Sequence, residues 1–253
     1  MNITLLGTGT SSGIPVVGCD CSVCNSADPK NTRTRSSILV TEKRVNILVD
    51  TATEFRLQAL REGINSIDGI LYTHSHADHL HGLDDIRPLT SSNAIDVFAS
   101  PNDIIEIKNR FPYIFNRTLQ VGGGKPRLAL NKINEEKFSI SNISITPIPV
   151  KHGLLDILGY KFNKEAAYIT DCSEITKKSI ELLRGIKILI LGALRYKEHA
   201  THFNIAQALD IIKKISPERA YLTHLSHDVD HDKLSAELPD EIFVAYDGLK
   251  ISI

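Results

Sequence analysis

The stretch Gly69-Ile70-Leu71-Tyr72-Thr73-His74-Ser75-His76-Ala77-Asp78-His79 runs an apolar strand straight into a cluster of metal-ligand side chains. In extended backbone, side chains at i and i+2 share a face, so His74 and His76 are placed to grip one ion together. Asp78 and His79 lie just past the strand and can turn toward a second. Imidazole and carboxylate are donors that zinc, manganese and related divalent ions accept. Histidines directly behind an apolar strand are expected to be buried rather than scattered over the surface.

The same junction recurs. Asp50 follows Asn46-Ile47-Leu48-Val49, and His152 follows the apolar run at 143–150. Asp171 follows Ala167-Tyr168-Ile169-Thr170, and His224 follows Ala220-Tyr221-Leu222-Thr223. Taken singly, each is an ordinary loop residue or strand terminator. Their recurrence predicts ligands converging from separate strand ends on one edge of the sheets, with Asp171 able to bridge two cations.

Short β-branched runs alternate with helical patterns throughout. Strands are expected at 3–6, 37–40, 45–49, 69–72, 95–99, 143–150, 167–169, 186–191, 220–222, 242–245 and 250–253. Helices are expected at 54–61, 101–110, 174–183 and 203–215. In the last helix Phe203, Ala206, Leu209, Ile212 and Ile215 recur at helical spacing, and Pro101 suits a first helical turn. Residues 111–126, ending in Val121-Gly122-Gly123-Gly124-Lys125-Pro126, read as a mobile excursion. With 253 residues, 42% hydrophobic and 23% charged, the chain resembles an average globular protein, and one α/β domain over 1–253 is expected.

His74-x-His76-x-Asp78-His79 followed in order by His152, Asp171 and His224 resembles the metallo-β-lactamase superfamily. That resemblance spans essentially the whole chain. It implies an αββα sandwich, two mixed sheets face to face with helices outside and the metals at one edge. It also implies that His74, His76 and His152 hold a first metal, that Asp78, His79 and His224 hold a second, and that Asp171 bridges them. Asp50 then orients ligands from behind.

A second candidate site is Gly18-Cys19-Asp20-Cys21-Ser22-Val23-Cys24. Thiolates at this spacing can wrap one tetrahedral zinc, and His227, three residues past His224, is the candidate fourth ligand, so that one loop serves both sites. Cys172 reads as a small packed residue. The N-terminal Gly7-Thr8-Gly9-Thr10-Ser11-Ser12-Gly13-Ile14-Pro15 followed by these cysteines is similar to the phosphoribosyl cyclic phosphate phosphodiesterase subgroup, which implies a structural zinc beside a catalytic metal pair. Arg195-Tyr196-Lys197-Glu198-His199-Ala200-Thr201-His202-Phe203-Asn204 resembles the histidine motif that this subgroup and ribonuclease Z place near the substrate phosphate. His202 aligns with that residue because it precedes the helix; His199 is the competing choice.

The expected activity is therefore hydrolysis of a small, cyclic or open, phosphodiester by water activated between two divalent ions, zinc or manganese. Asp78 is expected to orient that water and His202 to act at the phosphate. Alternatives are a ribonuclease Z-like RNA endonuclease, a lactone or thioester hydrolase, and a non-catalytic metal-binding sensory domain. A formal net charge of −1 gives no overall basic field for a nucleic-acid backbone, so nucleic acid is the weaker partner. No apolar stretch approaches the ~18–20 residues that span a bilayer, and the N-terminus lacks signal-peptide features. A cytoplasmic location without membrane attachment is expected, and a homodimer is implied by resemblance alone.

Overall fold

The computed structural model describes residues 1–90, 93–116 and 124–253. Strands β1 (Asn2–Gly7), β2 (Ser37–Glu42), β3 (Val45–Val49), β4 (Gly69–Leu71), β5 (Ile95–Ala99) and β6 (Leu128–Lys132) build the first sheet. Strands β7 (Phe138–Ile140), β8 (Ile143–His152), β9 (Leu155–Phe162), β10 (Ala166–Ile169), β11 (Ile188–Gly192), β12 (Arg219–Thr223) and β13 (Ile242–Val244) build the second. Strand β14 (Lys250–Ser252) returns to the first sheet, whose order is β14-β1-β2-β3-β4-β5-β6; the second runs β13-β12-β11-β10-β9-β8-β7.

Both sheets are mixed. Each contains antiparallel pairs, β1/β2/β3 and β7/β8/β9/β10, continued by parallel strands, β3 to β6 and β10 to β13. Parallel neighbours require crossovers and place helices on the outer faces. On the first sheet lie α1 (Phe55–Glu62), α2 (Ala77–Leu80) and a 3₁₀ segment His81–Thr90, then α3 (Pro101–Arg110) and α4 (Pro112–Phe115). On the second lie α5 (Lys177–Leu183), α6 (Ile205–Ile215) and α7 (His231–Glu237).

Alternation along the strands sets the layers. Ile3, Leu5, Ile38, Val40, Ile47 and Val49 face Ile145, Tyr160, Phe162, Tyr168, Ile188 and Ile190 in the central core, all 0% exposed. The opposite faces pack under the helices, with Leu6, Leu48 and Ile70 against Phe55 and Ile104, and Leu189, Leu191 and Leu222 against Ile205 and Ile212. This is the αββα sandwich. Truncating one such side chain to Ala costs about 2–5 kcal/mol.

Two hydrogen bonds join the second sheet to the metal-ligand segment. Tyr160 Oη donates to Tyr72 O at 2.6 Å, and Leu158 N donates to Thr73 O at 3.0 Å. The loop after β4 is thus held by β9, a strand absent from the expected elements. The 3₁₀ segment, α7, β6 and β7 are likewise additions. Two helices start later than expected. α5 begins at Lys177 because Thr176 caps it, accepting from Ser179 N. α6 begins at Ile205 because Asn204 and Gln207 form a reciprocal capping box. Within the excursion at 111–126, 112–115 is helical; 117–123 lie outside the described residues.

Candidate metal centre

In open α/β sheets, ligand sites form beyond the carboxyl ends of the strands, and the candidate ligands gather there. His74 and His76 leave β4 with ring centroids 4.5 Å apart, and His152 at the end of β8 lies 5.1 Å from His76. Asp78 and His79 sit on α2, immediately after. Asp171 follows β10 and His224 follows β12. The ligand atoms of His74, His76 and His152 all lie within 4.8 Å of one another, as do those of His74, His79 and Asp171, and those of Asp78, Asp171 and His224. Asp171 belongs to both of the latter groups: its Oδ1 is 3.2 Å from His79 Nε2 and 3.1 Å from His224 Nδ1, while its Oδ2 is 4.0 Å from His74 Nε2.

The rings are oriented from behind. Asp50, fully buried at the end of β3, accepts from His79 Nδ1 at 2.8 Å and from Thr73 N and Oγ1, each at 2.8 Å. Thr73 Oγ1 in turn lies 3.0 Å from His74 Nδ1. One carboxylate therefore fixes two imidazoles. His152 Nδ1 donates to Thr201 O at 2.8 Å, and His224 contacts Ser36 Oγ at 3.1 Å and Thr10 Oγ1 at 3.2 Å. On His74 and His79 such partners at Nδ1 select the tautomer that leaves Nε2 bare; on His224 both ring nitrogens are contacted, Nδ1 by Ser36 and Nε2 by Thr10. Asp50 and His224 both hold positive φ, 62° and 58°. This left-handed conformation costs about 1–2 kcal/mol for a residue with a Cβ, and the network around each residue holds it there.

Electrostatics and unmet valences both call for cations. Burial opposes charge on His79, but Asp171, Asp78 and Asp50 outweigh it and hold the imidazole well above its ordinary value. Burial likewise opposes the Asp171 carboxylate, while His224 and His79 hold it well below its usual range. Burial drives His74 and His224 the other way, toward neutrality. His74 Nε2, His79 Nε2 and Asp78 Oδ2 are buried without a hydrogen-bond partner. Buried polar atoms of this kind are rare and costly, and bare imidazole nitrogens beside carboxylates are the donor set of a divalent-cation site. The residues fit metal ions.

His202, ahead of α6, joins the cluster. Its ring stacks on His224 at 4.9 Å and meets His152 edge-on at 4.6 Å, and its ligand atom lies within 4.8 Å of those of His152 and Asp171. Burial first, then His224, lowers it to about 3. His199 is 5.2 Å from His202, exposed, and accepts from Thr201 N at 3.3 Å. The structure thus places His202, and not His199, against the candidate ligands.

The cysteine cluster is equally well formed. His227 Nδ1 lies 3.2 Å from Cys19 Sγ, 3.5 Å from Cys21 Sγ and 3.7 Å from Cys24 Sγ. The backbone N–H of Cys24 and, against burial, the His227 ring lower the Cys21 thiol to about 6. Burial raises Cys24 to about 11. Cys172 is 1% exposed and its thiol is pushed up by burial, in keeping with a packed residue. Leu225, between His224 and His227, donates to Thr8 O and accepts from Thr10 N, each at 3.0 Å.

A family model described as a beta-lactamase superfamily domain matches residues 45–225. The chain belongs to this superfamily, and its fold and donor set are those of a metal-dependent hydrolase. Within the superfamily it falls in the PhnP-like subgroup. A diphosphatase from the PhnP family, known by crystal structure, is 41% identical, with a TM-score of 0.93 over 99% of this chain and 96% of that one. A protein named octanoyltransferase from Porphyromonas gingivalis (strain ATCC BAA-308 / W83) is 40% identical over 100% of this chain. The chain spans about half the length of that relative, 52%. Zn(2+)-bound PqqB from Methylobacterium extorquens is 18% identical with a TM-score of 0.82, a likeness of fold alone. No helix among the described residues is long and apolar enough to cross a membrane.

Proposed function

We propose that this protein is a phosphodiesterase that hydrolyses a small, cyclic or open, phosphodiester at a pair of zinc or manganese ions. His74, His76 and His152 would hold one ion, Asp78, His79 and His224 the other, and Asp171 would bridge. When bound, such a pair supplies a nucleophile from water by lowering its pKa and offsets the charge of the phosphate. Asp78, whose buried Oδ2 makes no hydrogen bond and lies 3.2 Å from His79 Nε2, would orient the attacking water while remaining a ligand.

The observation that carries the proposal is the place of His202, stacked on His224 and edge-on to His152 at the mouth of the cluster. From there its N–H would reach a phosphoryl oxygen of a substrate held at the cluster. Burial keeps the free imidazole neutral, and a bound phosphate anion acts in the opposite sense, so the ring can hold a proton and pass it to the departing alkoxide. Cys19, Cys21, Cys24 and His227 would hold a structural zinc.

Octanoyl transfer, the name of the longer relative, gains no support from these residues. The thiol outside the cysteine cluster, Cys172, is buried and its pKa raised, the opposite of an activated nucleophile.

The test is hydrolysis of bis(p-nitrophenyl) phosphate by His202→Ala. Turnover is expected to fall by about 10²–10⁴-fold with metal content per chain unchanged. Undiminished turnover with intact metals would remove the role of His202. Precursor tRNA, lactone and thioester assays run alongside would expose a different substrate class.

A further inference from the structure

Three of the candidate ligands directly follow a threonine at a strand end: Thr73 precedes His74, Thr170 precedes Asp171 and Thr223 precedes His224. All three threonines are buried, but their hydroxyls are used differently. Thr73 Oγ1 donates to Asp50 Oδ2 at 2.8 Å. Thr170 Oγ1 donates to Asp171 Oδ1, on the very next residue, at 2.7 Å. Thr223 Oγ1 has no hydrogen-bond partner among the described residues.

Alternation along β10 sets where the Thr170 hydroxyl lies. Ala167 and Ile169 pack under the helices and Tyr168 packs between the sheets, so Thr170, next in line, falls on the side of Tyr168. A hydroxyl in that apolar layer is costly unless it is bonded, and the Asp171 carboxylate is its acceptor. The backbone has little room to shift. Gly192, at the end of β11, lies so close that a Cβ there would meet Thr170 O at 3.0 Å and its carbonyl carbon at 3.1 Å.

A hydroxyl has one proton. The Thr170 proton goes to the carboxylate, the stronger acceptor, so toward His224 Nδ1, 3.4 Å away, it offers only a lone pair. The two Asp171 oxygens are thereby made unlike. Oδ1 is held by Thr170 beside His79 Nε2 and His224 Nδ1, at 3.2 and 3.1 Å. Oδ2 lies 4.0 Å from His74 Nε2.

We infer that Thr170 is a positioning residue: its hydroxyl pins the Asp171 carboxylate so that Oδ1 serves the Asp78, His79 and His224 set and Oδ2 serves the His74, His76 and His152 set. The inference rests on the bridging role proposed above for Asp171. Without the hydroxyl the carboxylate is free to turn about its Cβ–Cγ bond, a broad and roughly two-fold torsion. Ordering it then opposes ion binding, as loss of a partner behind a ligand does.

The test is zinc binding by the metal-free protein in competition with a chromogenic chelator. Thr170→Val keeps the branched shape and removes the hydroxyl, and affinity at the histidine–carboxylate cluster is expected to fall about tenfold. Thr170→Ser keeps the donor and should stay within about twofold of the parent. Thr223→Val is the matched control: it removes a hydroxyl that has no partner and should also stay within about twofold. Thermal midpoints of the metal-free proteins should agree within a few degrees. A hydroxyl that served only the fold would instead lower the midpoint of Thr170→Val and leave zinc affinity unchanged. Parent-like affinity in Thr170→Val, or an equal loss in Thr170→Ser or Thr223→Val, would overturn the assignment while leaving the bridging carboxylate in place. A parent protein that binds only one ion beyond that of the cysteine cluster would remove the bridge itself, and the role of Thr170 with it.

Discussion

The histidine–carboxylate cluster and the cysteine cluster meet within four residues, at His224 and His227, yet they are built in opposite ways. The first draws its side chains from the ends of β4, β8, β10 and β12, which the two sheets fix in space whether or not an ion is bound. Most of its atoms are buried, several lack partners, and it opens onto a cleft. The second takes its thiols from one N-terminal loop and only His227 from elsewhere. All four of its donors face one another and none is left for a substrate. Closed tetrahedral sets are structural and open sets are catalytic. A loop-built site also depends on its ion for shape, since binding and local folding are there the same free energy.

On that contrast, Asp171→Ala has the largest effect of any change among the candidate ligands and their supports. Turnover of a phosphodiester should fall on the order of 10³-fold, and the metal at the histidine cluster should fall with it. The thermal transition of the metal-free protein should stay within a few degrees of the parent, because removing one member of a charged cluster leaves both cores intact. A collapse of the fold would show that the cluster, and not the sheets, holds these strand ends.

Asp50→Asn tests the positioning network. It keeps the volume but weakens the acceptor shared by His79 and Thr73, and metal affinity is expected to fall about 10–100-fold. Competition with a chromogenic chelator measures this directly; unchanged affinity would mean that Asp50 serves folding only.

Cys21→Ser should act on the other site. Elemental analysis is expected to find about three ions per chain in the parent and one fewer in the variant, with a lowered thermal midpoint and part of the turnover retained. Full retention of the ions would rule out the cysteine cluster as a metal site.

The smallest effect concerns neither site. His231 Nδ1 lies 3.3 Å from Arg33 Nη2. Burial first, then Arg33, lowers His231 from its ordinary 6.5 to about 4. Between these values the unfolded chain binds a proton that the folded protein refuses, so stability rises with pH through this window and is lost as pH falls from 6.5 toward 4. His231→Gln should flatten the dependence of the midpoint on pH over that range, as followed by circular dichroism.

Much of the site is legible along the chain because strand ends have a signature: an apolar run stops and a ligand follows. His74, His76, Asp78, His79, His152, Asp171 and His224 all carry it, as does Asp50. Three thiols at short spacing carry another. What the pattern does not carry is the partner of each ligand. Thr10, Ser36 and Thr201 stand out by no local feature, and they touch the site only because β1, β2 and the loop before α6 meet there. β9 escapes the strand pattern because Asp156, Gly159 and Lys161 interrupt its apolar run, although β9 holds the ligand loop through Leu158 and Tyr160.

By itself the sequence determined the donor types, their order and the strand ends that bear them, because alternation and apolar runs are local properties of the chain. It left His199 and His202 as rivals, two donors three residues apart in one loop. Only the tertiary structure separated them. The backbone turn at Thr201 sends one ring against His152 and His224 and the other into the cleft, and side-chain direction in a loop is set by packing that no periodicity encodes.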